Sequence, residues 1–198
     1  MDFVEKVKGF LMEPSRTFDA SKEDTLEDAI KYYAVIIAVY SALFALIVTF
    51  AFGSLGSMMG LGQLGMMAGA GAGIGGALII FVMILVSGIV GVFISGAIIH
   101  IGVLIVGGKK GITQTIKAVI YGSTPGLLLG WIPLIGMLAA IWSFVLEILG
   151  IRQLQEVTTG RAIIAVIIPV VILTIIIIIA VIAGLFFTTY QTETGMNF

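Results

Sequence analysis

Residues 162–187 read AIIAVIIPVVILTIIIIIAVIAGLFF, without one charged side chain. Ile and Val dominate, and in water such a run would favour a strand. In lipid an unpaired strand would leave its backbone N–H and C=O groups bare, so helix wins. A β-barrel is excluded because the apolar positions are continuous rather than alternating. Working back along the chain, four more runs of this kind appear at 32–52, 78–106, 112–129 and 131–150. About 20 helical residues cross a hydrocarbon core of about 30 Å. The reading is an all-α membrane protein with five transmembrane helices and a short amphipathic N-terminal helix. The run from Leu78 is longer than one crossing needs, so it must tilt or leave the membrane at its ends.

Composition agrees. The 198 residues are 60% hydrophobic and 11% charged, with mean hydropathy +1.21. Soluble domains carry roughly 25% charged residues. Net charge is −1, which gives nucleic acid no basic face to bind. Cysteine is absent and His100 is the single histidine. Disulfides, thiolate metal sites and paired-imidazole sites are therefore excluded. No catalytic spacing is present, neither HExxH nor a nucleophile elbow, and no cofactor is expected.

The charges are segregated. Thirteen of the 21 ionised side chains lie in residues 1–31, leaving a polar head, a membrane domain over 32–187 and a tail over 188–198. Lys6, Lys8, Arg16, Lys22 and Lys31 sit in the head, Lys109 and Lys110 in the 107–111 turn, and Arg152 and Arg161 in the 151–161 loop. The 53–77 loop, the turn at Gly130 and the tail have none. With five spans every basic segment falls on one side, which the positive-inside rule makes cytoplasmic. The N-terminus is then cytoplasmic, the C-terminus extracytoplasmic, and the cell membrane the expected location. The first run lies behind a mixed-charge head and is expected to stay as an anchor rather than be cleaved.

In the head, Phe3, Val4, Val7, Phe10 and Leu11 recur at helical spacing, with Asp2, Glu5, Lys6 and Lys8 on other faces and Pro14 as a stop. Such a helix either lies flat on the inner surface or packs on the membrane domain. Ser21-x-x-Asp24 resembles a capping box opening a second helix. The acidic group Glu23, Asp24, Glu27 and Asp28 reads as a solvated face or a dock for a basic partner.

Gly71–Gly76 matches GxGxxG but has neither the preceding strand nor the later acid that dinucleotide binding requires. Met58, Met59, Met66 and Met67 nearby read as apolar packing rather than a metal site. Within the runs, Ser87, Gly91 and Ser95, and likewise Gly136, Ala140 and Ser143, form stripes of small residues that let helices approach closely. Pro125 and Pro133 flank a tight hairpin at Gly130. Gln114, Lys117, Tyr121 and Thr124 share one face of the third run.

Three ionisable residues lie inside the runs. At about 1.5 Å per residue, His100, Lys117 and Glu147 sit about 9, 8 and 5 Å from the same inner end. Either Lys117 and Glu147 snorkel independently, with His100 as packing, or a polar cluster forms. In the cluster Glu147 pairs with Lys117 or His100, and Gln114 and Tyr121 add hydrogen bonds.

These residues together resemble the Yip family of Ypt/Rab-interacting membrane proteins. The likeness runs through Pro14-Ser15-Arg16-Thr17-Phe18, His100 ahead of Gly107-Gly108, Gln114, Tyr121-Gly122-Ser123-Thr124-Pro125, Ile132-Pro133, Trp142, Gly150-Ile151 and Arg161-Ala162. The compact chain resembles prokaryotic-type members. The resemblance implies a non-enzymatic membrane scaffold or adaptor; in eukaryotic relatives, binding of Rab-type GTPases and a role in vesicle traffic. It implies a protein partner at the cytoplasmic face besides the lipid bilayer. A small oligomeric channel or transporter using the polar cluster is the alternative, which would make the chain a homo-oligomer. A membrane-shaping role through the amphipathic start is the third reading.

Overall fold

The computed structural model describes residues 1–52 and 73–194. Among them the chain is helical without a strand. The methionines at 58, 59, 66 and 67 and the first residues of the GxGxxG match lie outside the described residues.

The head forms two helices, α1 (Phe3–Met12) and α2 (Pro14–Ala20). Asp2 and Glu5 close a capping box on α1: the Glu5 amide donates to Asp2 Oδ1 at 2.7 Å, and the Asp2 amide to Glu5 Oε2 at 3.1 Å. Pro14 cannot continue α1 but suits the first turn of α2, where no N–H is needed.

The next helix, α3 (Leu26–Ile47), does not start at the expected Ser21–Asp24 box. Thr25 and Asp28 form the box instead, through Asp28 N–H to Thr25 Oγ1 at 3.1 Å and Thr25 N–H to Asp28 Oδ2 at 3.0 Å. Asp24 is occupied elsewhere. A π-helical turn, Val48–Phe52, extends α3.

Among the described residues four helices have the length and hydropathy to cross a membrane: Leu26–Phe50, Gly73–Ile105, Ile135–Leu154 and Thr159–Phe187. The second belongs to α4 (Gly73–Ile105). The run 112–129 divides into α5 (Ile112–Gly122) and α6 (Thr124–Leu129). Pro125 is the reason: it has no N–H for the Tyr121 carbonyl four residues back. The Thr124 hydroxyl takes that carbonyl instead, at 2.7 Å, and the Tyr32 hydroxyl meets Thr124 Oγ1 at 2.9 Å. After a turn in which Leu134 adopts φ 67°, α7 (Ile135–Leu154) runs back along α5 and α6. The last helix is α8 (Thr159–Thr194).

The short α5 is the centre of the molecule. Every residue from Thr115 to Gly122 is buried, because α3, α4 and α7 surround it together with the head. Close approach needs glycine. A Cβ at Gly122 would stand 2.7 Å from Glu147 Cγ and 2.9 Å from its backbone, and one at Gly150 2.9 Å from both Ala118 Cβ and the Phe18 ring.

Two of the α4 glycines in close contact, Gly88 and Gly96, are one position away from Ser87 and Ser95 of the expected stripe, and Gly102 lies beyond it. Gly88 lies against Ile37, Gly96 against Ile116 and Gly102 against the Ala165 carbonyl of α8. A Cβ at Gly91 would meet nothing within 4 Å. On α7 the Ser143 hydroxyl accepts the Gly126 amide at 2.8 Å, which satisfies a free donor in the first turn of α6. The contact face of α8 is Ala162, Ala165, Val166 and Pro169; from Val170 to Phe187 every residue is exposed.

Candidate functional site

Phe10 of α1 and Phe18 of α2 are both fully buried, and they converge on Tyr32 of α3 and Tyr121 of α5. The Phe10 ring lies 4.8 Å from Phe18, 4.7 Å from Tyr121 in a stacked arrangement and 6.0 Å from Tyr32. The head is thus packed into the bundle, and Phe10 meets protein rather than lipid.

Lys6 follows it inward. It stands four residues before Phe10, hence on the same helix face, and not on a separate polar face. Its ammonium pairs with Asp24 Oδ2 at 2.6 Å and lies 5.3 Å from the Tyr121 ring centroid. The Tyr121 hydroxyl donates to the same Asp24 oxygen at 2.6 Å. One carboxylate thereby ties α1, the α2–α3 connection and α5 together.

The Lys117 side chain is completely buried. Its ammonium donates to the carbonyls of Lys22 at 2.8 Å and Asp24 at 2.7 Å. Gln114 Nε2 donates to the Lys22 carbonyl at 3.4 Å. A buried ammonium needs hydrogen bonds and a nearby counter-charge; the connection supplies its carbonyls and the Asp24 carboxylate. Gln114, Lys117 and Tyr121 are therefore brought together, and all three grip residues 22–24.

His100 and Glu147 lie apart from this latch. His100 Nδ1 is 2.8 Å from Thr115 Oγ1. Thr115 also accepts from Gln155 Nε2 at 3.0 Å, while Gln155 donates to the Gly111 carbonyl at 2.8 Å and accepts the Lys110 amide at 3.1 Å. The Gln155 amide orientation is fixed by these two backbone partners of opposite polarity. This second network fastens α4, α5 and the end of α7. Beside it, Lys110 and Glu156 pair at 2.6 Å, and that hydrogen bond holds the Glu156 carboxyl below the usual carboxylate range.

The pairing of Glu147 with Lys117 or His100 is not formed. Glu147 rests against Gly122, and among the described residues no hydrogen bond or ion pair reaches it. The three residues point to different neighbours: Lys117 to the head, His100 to Thr115, Glu147 along the α5–α7 contact.

The sequence reading missed Lys6, Asp24, Thr115 and Gln155 as partners. The four-residue spacing of Lys6 and Phe10 was a usable signal. Nothing marked which of the clustered acids, Glu23, Asp24, Glu27 or Asp28, would turn inward.

Neither a curated protein nor a solved structure matches the chain significantly. The family model of the Yip1 domain matches residues 8–190. That span takes in α2, the bundle and every α5 residue of the latch, though not Lys6: the chain belongs to the Yip1 domain family of membrane proteins.

Proposed function

We propose that the chain is a non-enzymatic membrane scaffold or adaptor, with its N-terminus cytoplasmic, its C-terminus extracytoplasmic and its location the cell membrane. The observation that carries this reading is the latch. The donors of Lys117 and Tyr121, which a transport site would offer to a substrate, are taken by the chain's own head. They serve to hold a shape. The Yip family is non-catalytic, which supports the same reading. A protein partner at the cytoplasmic face would meet the outer side of α2 and the loops, since the inner side of the head is occupied by the bundle.

In this reading α5 and α6 together make the fifth crossing, hinged at Ser123. Their 18 residues would reach about 27 Å, close to the hydrocarbon thickness. A cysteine at Leu134, which is 80% exposed in the α6–α7 turn, should react with an impermeant maleimide only from the side opposite Lys110. Labelling from the Lys110 side would leave α5–α6 as a re-entrant hairpin.

The unpaired Glu147 is the one observation that favours an oligomeric channel. Reconstitution in proteoliposomes separates the two. Monovalent-cation and proton flux should stay at the level of empty vesicles. Flux above that level, abolished by Glu147→Gln, would overturn the scaffold reading.

A further inference from the structure

The turn between α6 and α7 ends short of the helices beside it. Two contacts set its level against α3. The Tyr32 hydroxyl meets Thr124 Oγ1, at the start of α6, at 2.9 Å. Six residues later, a Cβ at Gly130 would lie 3.6 Å from Tyr40 Cε2. The second contact lies further along both helices than the first, so α3 and α6 run side by side in the same direction and the turn stands beside Tyr40. Side chains lean toward the N-terminus of their helix, so the turn is no further out than the Tyr40 backbone. The α3 span continues to Phe50, about 15 Å beyond Tyr40 at 1.5 Å per residue.

The offset against α4 follows from a separate contact. Gly96 packs against Ile116 of α5. Outward from there α4 rises about 33 Å to Ile74, whereas α5 and α6 rise about 21 Å to Gly130. The turn therefore ends about 12–15 Å short of both neighbours. Beyond it α3 and α4 still present apolar surface: Leu46 is 48% exposed, Leu78 60% and Ile74 77%. All three line one cleft between these two helices, together with Ala and Phe side chains only. Both helices are spans, whose exposed aliphatic side chains are covered by acyl chains. At the turn the residue types change. Trp131 follows Gly130, so Trp131 and Tyr40 share one level, and Trp and Tyr gather where hydrocarbon meets headgroups.

We propose that the protein thins the bilayer at its α6–α7 edge. The proposal rests on the five crossings argued above, in which the turn reaches the extracytoplasmic headgroups. Those headgroups dip to Tyr40 and Trp131, while hydrocarbon continues outward along α3 and α4. A flat outer surface at the turn would leave Leu46, Leu78 and Ile74 in water, and a flat one at Phe50 would bury the turn. The scaffold then shapes the lipid around it as well as holding its own head.

The cysteine-free chain permits a direct test on the whole protein in dioleoyl-phosphatidylcholine nanodiscs. Single nitroxide labels at Leu46→Cys, Leu78→Cys and Leu134→Cys are read by collision with oxygen and with a water-soluble nickel chelate. The oxygen-to-nickel ratio should be several-fold higher at 46 and 78 than at 134. Water-like ratios at all three would overturn the thinning and leave the five crossings standing. A lipid-like ratio at 134, with no maleimide reaction from the side opposite Lys110, would remove the crossing and the thinning with it. Low collision with both reagents at 46 and 78 would mean that protein covers them, which also overturns the proposal. A second measurement needs no substitution. Electron cryomicroscopy of wild type in the same nanodiscs should show the outer headgroup layer bending toward the turn, and a layer of even height around the protein would refute it.

Discussion

Phe10→Ala should undock the head while leaving the spans in place. The ring is fully buried, with Tyr121 at 4.7 Å, Phe18 at 4.8 Å and Tyr32 at 6.0 Å. Deleting such a ring costs about 3–5 kcal/mol, depending on how far the site can collapse. Collapse is restricted here, because the Tyr121 hydroxyl is held by Asp24 and the Tyr32 hydroxyl by Thr124. The aromatic contacts add to the loss, roughly 0.5–1.5 kcal/mol per pair beyond buried area. The upper half of the range, about 4–5 kcal/mol, is therefore expected. It falls on local opening of the head, whose amides open without the bundle. At 1.4 kcal/mol per tenfold, exchange in residues 3–20 should quicken by roughly a thousandfold, up to the rate of an unprotected amide. Hydrogen–deuterium exchange with peptide mass analysis in nanodiscs reads this. Wild-type-like exchange in residues 3–20 would refute the reasoning. Equal loosening of α8 would show that the bundle, not the head, depends on this ring.

Further predictions follow from the close contacts and the latch. Gly122→Ala should lower the melting temperature, since its methyl meets Glu147 backbone and overpacking costs about 1–3 kcal/mol, whereas Gly91→Ala, with open space around it, should leave it unchanged or slightly raised. Lys117→Met strands the Asp24 carbonyl and leaves the Lys22 carbonyl only the longer Gln114 bond, at about 1–3 kcal/mol for a buried group left bare, and should speed exchange at residues 21–25. Combined with Glu147→Gln it should be additive within about 0.5 kcal/mol, because the two side chains do not touch; a larger coupling in detergent melting curves would mean that they pair after all. Reporter fusions after Lys110 and Phe198 should report opposite sides, and the same side from both would exclude the topology.

The membrane class was legible in residue order because it depends on a one-dimensional property. A continuous apolar run such as 162–187 has no aqueous alternative, and backbone hydrogen bonding in lipid leaves helix as its form. Segregation of charge needed no coordinates either, and the family could be read from short motifs kept in order along the chain. The division of 112–129 was half legible: Pro125 was visible, yet that Thr124 would satisfy the Tyr121 carbonyl depends on Tyr32 coming in from α3. Only the tertiary structure decided where the polar residues turn. Depth along a helix is set by position, but direction is set by which neighbours surround it. Lys117 faces the α2–α3 connection because α3, α4 and α7 enclose the rest of α5, and there the carbonyls of Lys22 and Asp24 meet its ammonium. The fate of Phe10 was likewise undecidable from its spacing, since an apolar helix edge is equally satisfied by lipid or by protein. Tyr32 and Tyr121 supply the protein surface that took it, and they lie on α3 and α5, with all of α4 between them along the chain.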